Sequence, residues 1–267
     1  MPRFTFWYAT MMILRITTVQ SNLFWENVRA NLDMFSAKLQ NLAGLTDLVI
    51  LPEMFTTGFS MNAGPLAEAM QGETMQWLTQ QACKLGAVVT GSFIAKENEL
   101  YHNRLVWMRP DGSFEIYDKR HLFTLAGEHE VYTAGQKRLG TEWKGWKICP
   151  LICYDLRFPV WSRNNEFFDL LIYTANWPEK RSHHWKQLLI ARAIENQCYV
   201  AGVNRVGADG MDFNYTGDTS VIDFSGKILY QVSEIENVST ISLSRENLQT
   251  YRNSLQFLAD QDKFEIF

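Results

Sequence analysis

Two short runs constrain this chain more than any other feature, DLVIL at 47–51 and LLIYT at 170–174. A strand with one wet face alternates apolar and polar side chains. A nearly unbroken apolar run of this length instead fits a strand covered on both faces. Such strands need a layer on each side, and the rest of the pattern supplies candidates. Ile13–Gln20 reads as a strand. Trp25–Leu42 reads as an amphipathic helix, because Trp25, Val28, Leu32, Phe35, Leu39 and Leu42 recur at helical spacing. Asp47–Glu53 is a short strand ended by Pro52. Thr74–Lys84 suits a helix stopped at Gly86, and Ala87–Ala95 suits a strand. Tyr101–Arg109 and Ser113–Tyr117 flank PDG, a hairpin signal. Trp146–Cys153 and Asp169–Ala175 are apolar strands, His183–Gln197 is helical and Cys198–Val206 is a strand. Asp218–Phe224, Lys227–Val232 and Val238–Leu243 are further strands, the first two joined by a turn at Ser225–Gly226, and a short helix follows. Helices alternating with strands, with hairpins among them, predict an α/β layered fold with a mixed sheet. Pro150 cannot donate a ladder hydrogen bond, so the strand leading to Cys153 is expected to carry a bulge or an edge there.

The chain has 267 residues, 46% of them hydrophobic, with 17 Phe, 10 Tyr and 9 Trp, enough for a large core. No linker, charge block or repeat divides it, so residues 1–267 are read as one domain. Phe4–Leu14 is apolar but too short to span a bilayer, and no small-residue cleavage site follows it. Residues 1–11 are read as extra residues ahead of the first strand, with Met11 or Met12 as an alternative start. The net charge is −4, and the densest basic stretch, Lys180–Lys186, is short and contains histidines. This argues against nucleic acid or an anionic membrane as a partner. The four cysteines, Cys83, Cys149, Cys153 and Cys198, include no C-x-x-C pair, which points to a reducing, cytoplasmic setting. Cys149 and Cys153 do not pair, because four residues of strand span about 13 Å and a disulfide needs Cα atoms within about 7 Å. Cys83, Cys149 and Cys198 are read as small buried hydrophobes.

Three residues stand where chemistry could occur. Cys153 closes the apolar run WKICPLIC and is followed by polar YDLR. A residue at that position is presented at the carboxyl edge of a sheet, where α/β folds place ligands, and the amide of the next residue, Tyr154, is a natural oxyanion donor. Glu53 directly follows an apolar strand in LPEMFTTGF, a poorly solvated position that suits a general base. Lys119, in YDKRHLF, could hold a thiolate and a developing oxyanion. Each alone also has a bland reading: a buried thiol, a loop-capping carboxylate, a solvated lysine.

Taken together, LPEMFTTGF, YDKRHLF and CYDLRFP resemble in order, local sequence and spacing the three catalytic segments of the nitrilase superfamily of carbon–nitrogen hydrolases. RAIENQCYVAGVNRVG (Arg192–Gly207) resembles that family's segment after the cysteine, and the likeness runs from about Ile13 to Leu243. It implies a four-layer αββα sandwich assembled as a homodimer or higher homo-oligomer. It also implies a Glu53–Lys119–Cys153 triad, with no metal or organic cofactor. The family's second glutamate matches Glu128 in LAGEHEVY, with Glu130 the less close match. TANWP (Thr174–Pro178) and CYDLRFP look most like the ω-amidase branch, whose substrates are 2-oxo-dicarboxylate monoamides such as 2-oxoglutaramate.

Arg157 is a candidate cation for a substrate carboxylate or a member of a structural ion pair. Trp177, Phe55 and Phe123 are candidate pocket walls, and Trp177 equally suits core packing. Arg192 and Glu195, three apart on a helix, are read as a structural pair. His183 and His184 lack the spacing of a metal site, since neighbouring side chains diverge. The competing functions are another branch of the superfamily (a nitrilase, a carbamoyl-amide hydrolase or a peptide-like amidase) and a catalytically idle binding protein on the same fold.

Overall fold

The computed structural model describes residues 12–266, so the extra residues expected at 1–11 lie outside it. Among the described residues the strands form two mixed sheets. The first holds β1 (Ile13–Gln20), β2 (Leu48–Ile50), β3 (Val88–Glu97), β4 (Leu100–Met108), β5 (Phe114–Asp118) and β13 (Asn237–Ser244), in the order β13-β1-β2-β3-β4-β5. The second holds β6 (Thr141–Trp143), β7 (Trp146–Ile152), β8 (Leu170–Ala175), β9 (Tyr199–Asn204), β10 (Val206–Ala208) and β11 (Asn214–Ile222). Its order is β10-β11-β9-β8-β7-β6, with β12 (Ile228–Ser233) paired to β11.

The period-two alternation of each strand explains how the sheets stack. Leu14, Ile16, Leu48, Ile50, Val88 and Trp107 of the first sheet meet Trp146, Ile148, Leu170, Ile172, Ala201 and Val203 of the second in one inter-sheet core. The intervening residues Val19, Val49, Val89 and Val106 face the other way, against Leu32, Phe35 and Leu39 of α1 (Val28–Leu39) and Leu78, Ala82 and Leu85 of α2 (Glu73–Leu85). On the second sheet Cys149, Leu151, Leu171, Tyr173 and Val200 pack against Trp185, Leu189 and Ala193 of α3 (Ser182–Asn196). The fold is an αββα sandwich, and the two apolar runs are strands covered on one side by helices and on the other by the opposite sheet.

Several boundaries move from their expected places. The first helix starts at Val28, because the Asn27 side chain caps it by accepting from Ala30 N at 3.1 Å; Trp25 and Leu42 lie outside it. α2 ends where expected, with Gly86 at φ 63° closing the last turn onto Ala82 O and Cys83 O. The strand expected over Asp47–Glu53 is ordered as a ladder only over Leu48–Ile50. The strand expected over Cys198–Val206 breaks at Arg205 into β9 and β10. Pro150 lies in a ladder with β8 that runs unbroken from Ile148 to Ile152, while β6 reaches only as far as Ile148. The proline therefore sits at a local edge rather than a bulge. Cys149 and Cys198 are buried as expected, but Cys83 is exposed on α2. A last helix, α4 (Arg245–Ser254), follows β13.

Candidate active site

β2, β7 and β8 end on the same side of the sandwich, and the chain just beyond each end carries a polar residue inward. Glu53 lies three residues past β2 and is fully buried. Its carboxylate accepts from Asn103 Nδ2 at 2.8 Å and from Asn176 N, just beyond β8, at 2.8 Å. Its own carbonyl accepts from Asn176 Nδ2 at 2.5 Å. Lys119 follows β5, its amide donating to Asn103 O at 3.0 Å. Its Nζ donates to Glu53 Oε1 at 2.9 Å and to both carboxylate oxygens of Glu128 at 2.9 Å. Glu128 opens a one-turn helix at Glu128–Val131, is fully buried and also accepts from Phe123 N. Glu130 is exposed, so burial decides between the two glutamates. Cys153 begins a short 3-10 turn over Cys153–Arg157 with φ 43°, a left-handed conformation that costs energy in a non-glycine residue. Its Sγ lies 4.0 Å from Asn176 O.

Charge in this cluster is not balanced. Two buried carboxylates face one ammonium, and a thiolate would add a third negative charge. Burial opposes the Lys119 charge, but the carboxylates of Glu128 and then Glu53 outweigh it and raise the lysine above its ordinary value. Burial raises Glu128, with Lys119 pulling it back. Burial and then the Glu53 carboxylate push the Cys153 thiol well up, against a smaller downward pull from Lys119. Lys119 was expected to lower the thiol's pKa, and it does pull that way, but the lysine's charge is already shared between two carboxylates and burial with Glu53 outweighs it. These surroundings favour the neutral thiol, and a thiol so placed needs a base to take its proton before it can attack.

The thiol opens onto a cavity of about 450 Å³. Trp177, Phe123, Arg157 and Tyr154 line it, as do Lys119 and Cys153. Phe55 does not. It is fully buried in the core under α1 and α2, edge-on to Phe35 at 5.6 Å, and Phe59 supplies an aromatic wall instead. Arg157 stacks over Trp177 at 4.8 Å and contacts His184 Nδ1 at 3.1 Å. Arg181, over the Phe123 ring at 5.2 Å, is a second cavity cation that sequence reasoning missed. Burial and the nearby Arg181 charge both push Arg157 down. Among the described residues neither guanidinium is ion-paired with a carboxylate. Arg192 and Glu195 pair at 2.9 Å, as expected of a structural couple, and Arg192 also holds Leu156 O at 2.7 Å. His183 and His184 are exposed in the first turn of α3, and among the described residues no group of three or more His, Cys, Asp or Glu could hold a metal ion.

Comparison with known proteins bears on this geometry. Residues 15–253 match the carbon–nitrogen hydrolase family. The chain belongs to that family. It is therefore a hydrolase of carbon–nitrogen bonds other than peptide bonds. The hydrolase is 45% identical over 255 residues to the omega-amidase YafV of Yersinia enterocolitica, covering 95% of this chain and 99% of that one. It is 35% identical over 219 residues to the 2-oxoglutaramate amidase of Bacillus subtilis, covering 80% and 84%. A solved carbon–nitrogen hydrolase superfamily protein from Xanthomonas campestris, with an arsenic adduct in its active site, superimposes with a TM-score of 0.94. It shares 48% identity and covers 96% of this chain and 99% of its own. Around Glu53, Lys119, Glu128 and Cys153 the structure also gathers Asn103 and Asn176, both hydrogen-bonded to Glu53. An asparagine inside a strand gave no sign of this, and one just past a strand gave only the weak sign of position.

Proposed function

We propose that the hydrolase is an ω-amidase that releases ammonia from a small carboxylate-bearing amide, a 2-oxo acid ω-amide such as 2-oxoglutaramate, through a thioester on Cys153. The observation that carries this reading is that one cavity joins the means of cleavage to the means of binding. A buried Glu53–Lys119–Glu128 cluster stands at the thiol, and two guanidiniums, Arg157 and Arg181, line the same space without an ion-paired carboxylate among the described residues. Relatives named omega-amidase and 2-oxoglutaramate amidase support the substrate class.

In the proposed reaction Glu53 takes the thiol proton as Cys153 Sγ attacks the amide carbon. The developing oxyanion is held by Lys119 Nζ and the Tyr154 N–H. Glu53 returns the proton to the amide nitrogen, the carbon–nitrogen bond breaks, and ammonia leaves a thioester. Glu53 then takes a proton from water, whose hydroxide attacks the thioester. The acid departs and Cys153 regains its proton. Glu128 touches neither sulfur nor amide in this scheme and fixes the ammonium with both of its carboxylate oxygens. The assembly is proposed to be a cytoplasmic homodimer acting on small molecules, with neither nucleic acid nor membrane as partner; sedimentation would read its size.

The arginines give the test of the substrate class. Arg157→Ala and Arg181→Ala should each raise KM for 2-oxoglutaramate, since a lost charge-assisted contact of about 1.5–3 kcal/mol corresponds to roughly 10- to 150-fold. Neither should affect an amide that lacks the carboxylate. Equal losses on both amides would make the arginines structural. Turnover of a carbamoyl compound with carbon dioxide release, and none of any 2-oxo acid amide, would move the enzyme to another branch.

A further inference from the structure

Asp155 is a fully buried carboxylate that the reaction above does not use. Its Oδ2 accepts from Tyr117 OH at 2.6 Å and from Ile152 N at 3.0 Å. Its Oδ1 accepts from His121 N at 3.1 Å and lies 2.8 Å from His121 Nδ1. These partners stand on two different pieces of the site. Ile152 precedes Cys153 at the end of β7, so one contact ties the carboxylate to the turn that holds the nucleophile in its left-handed conformation. Tyr117 and His121 stand two residues either side of Lys119. The same carboxylate therefore grips both flanks of the segment that carries the ammonium.

The surrounding contacts stiffen the grip. Tyr117 OH also accepts from Trp161 Nε1 at 3.0 Å and from Arg120 N at 3.2 Å. Burial and then the Asp155 charge push the Tyr117 phenol well up, so it stays a donor. The His121 ring stacks on Phe158 at 3.7 Å, with 6° between the planes, and Phe158 N donates to Asp155 O at 3.0 Å, closing the turn. A buried carboxylate with this many donors, drawn from two segments far apart in sequence, has two discrete pieces of backbone to hold in register and no substrate to touch.

We infer that Asp155, with Tyr117 and His121, is a positioning device that sets the separation of Lys119 from Cys153. This rests on the catalytic roles proposed above for those two residues. The device acts through them and makes no contact with substrate. Its loss loosens the ammonium relative to the place where the oxyanion forms, which lowers kcat; Arg181 stands on another segment and the Arg157 guanidinium is held by Trp177 and His184, so substrate binding changes little.

Tyr117→Phe removes only a hydroxyl, and His121→Phe keeps a ring against Phe158. With active sites counted by titration of Cys153 in a Cys83→Ser background, each should lower kcat per site about 10- to 100-fold, the scale of a misplacement of an ångström or less. KM should stay within about twofold. A second measurement separates positioning from general loosening. Tyr117→Phe should slow iodoacetamide alkylation of Cys153 when Lys119 is present and have no further effect in a Lys119→Met background. An unchanged kcat per site with only a lowered melting temperature would overturn the inference, as would the same fold-loss of alkylation in both backgrounds. Ammonia release by a folded Cys153→Ala protein would instead overturn the catalytic reading on which it rests.

Discussion

Lys119 is the residue on which the site balances: one ammonium between two carboxylates, with its side chain 1% exposed and those of Glu53 and Glu128 not exposed at all. Lys119→Met should lower kcat roughly 10²- to 10³-fold, as loss of an oxyanion donor does. It should also destabilise the protein by about 3–5 kcal/mol, because it leaves buried carboxylates uncompensated. The pH dependence has a definite sign. Burial raises Glu128, so the folded state binds that proton more tightly than the unfolded chain does, and stability from this group falls as pH rises. Without Lys119 to oppose it the effect grows. Urea midpoints should therefore show a smaller penalty for Lys119→Met at pH 5 than at pH 8; a penalty independent of pH would place a different group beside the lysine. At this scale the sequence told most about which polar residues the fold gathers at strand ends, Glu53 and Cys153, and about Lys119 beside them through its motif. It misjudged Phe55, since a wall residue and a core residue beside the same glutamate differ only in which side of the chain they leave. It missed Arg181 because a cation in a short 3-10 stretch has no pattern to mark it.

Among the elements, β2 shows how little regular structure the site needs. Three residues of ladder suffice because the flanking chain is held by other means. Asp47, just before β2, accepts from Arg15 N at 2.9 Å, Arg15 Nε at 3.0 Å and Arg15 Nη2 at 2.9 Å, and pairs with Lys144. Burial works to raise its carboxyl, but Arg15 and Lys144 outweigh that and hold it down to about 2. A carboxylate depressed in the folded state contributes stability that is present above its ordinary value and is lost as pH falls from about 4 toward 2. Between pH 7 and pH 2.5 the wild type should lose about 1 kcal/mol more than Asp47→Asn, after allowing for solvent around Arg15 and Lys144. Equal losses would show that the pairing contributes nothing to β2. Periodicity placed most strands and helices to within a few residues, and Gly86 and PDG marked real turns. β6 was invisible because three residues, Thr141–Trp143, show no period. Pro150 was legible only as a choice between bulge and edge, which depends on where β6 stops, a feature of another strand.

At the scale of the molecule, the apolar runs demanded cover on both faces but could not say what supplied it. Helices on both sides of one sheet and a helix–sheet–sheet–helix stack satisfy the same demand. The difference lies in the core that Trp107 of the first sheet shares with Ile148 and Ile172 of the second, which no local pattern encodes. The family resemblance supplied that step. The stacking sets the carboxyl ends of β2, β7 and β8 beside one another, so that Glu53 and Asn176, from different sheets, share hydrogen bonds and the thiol faces a cavity with two arginines at hand. The central claim is that this cavity cleaves an amide through Cys153. Its most direct test is the rate of ammonia release from 2-oxoglutaramate by the wild type and by Cys153→Ala, each shown to be folded by circular dichroism. The wild type should release ammonia, and the variant should be slower by roughly 10³-fold or more, as expected for loss of a covalent nucleophile. A folded Cys153→Ala protein within about tenfold of the wild-type rate, a difference of only about 1.4 kcal/mol in barrier, would contradict the account.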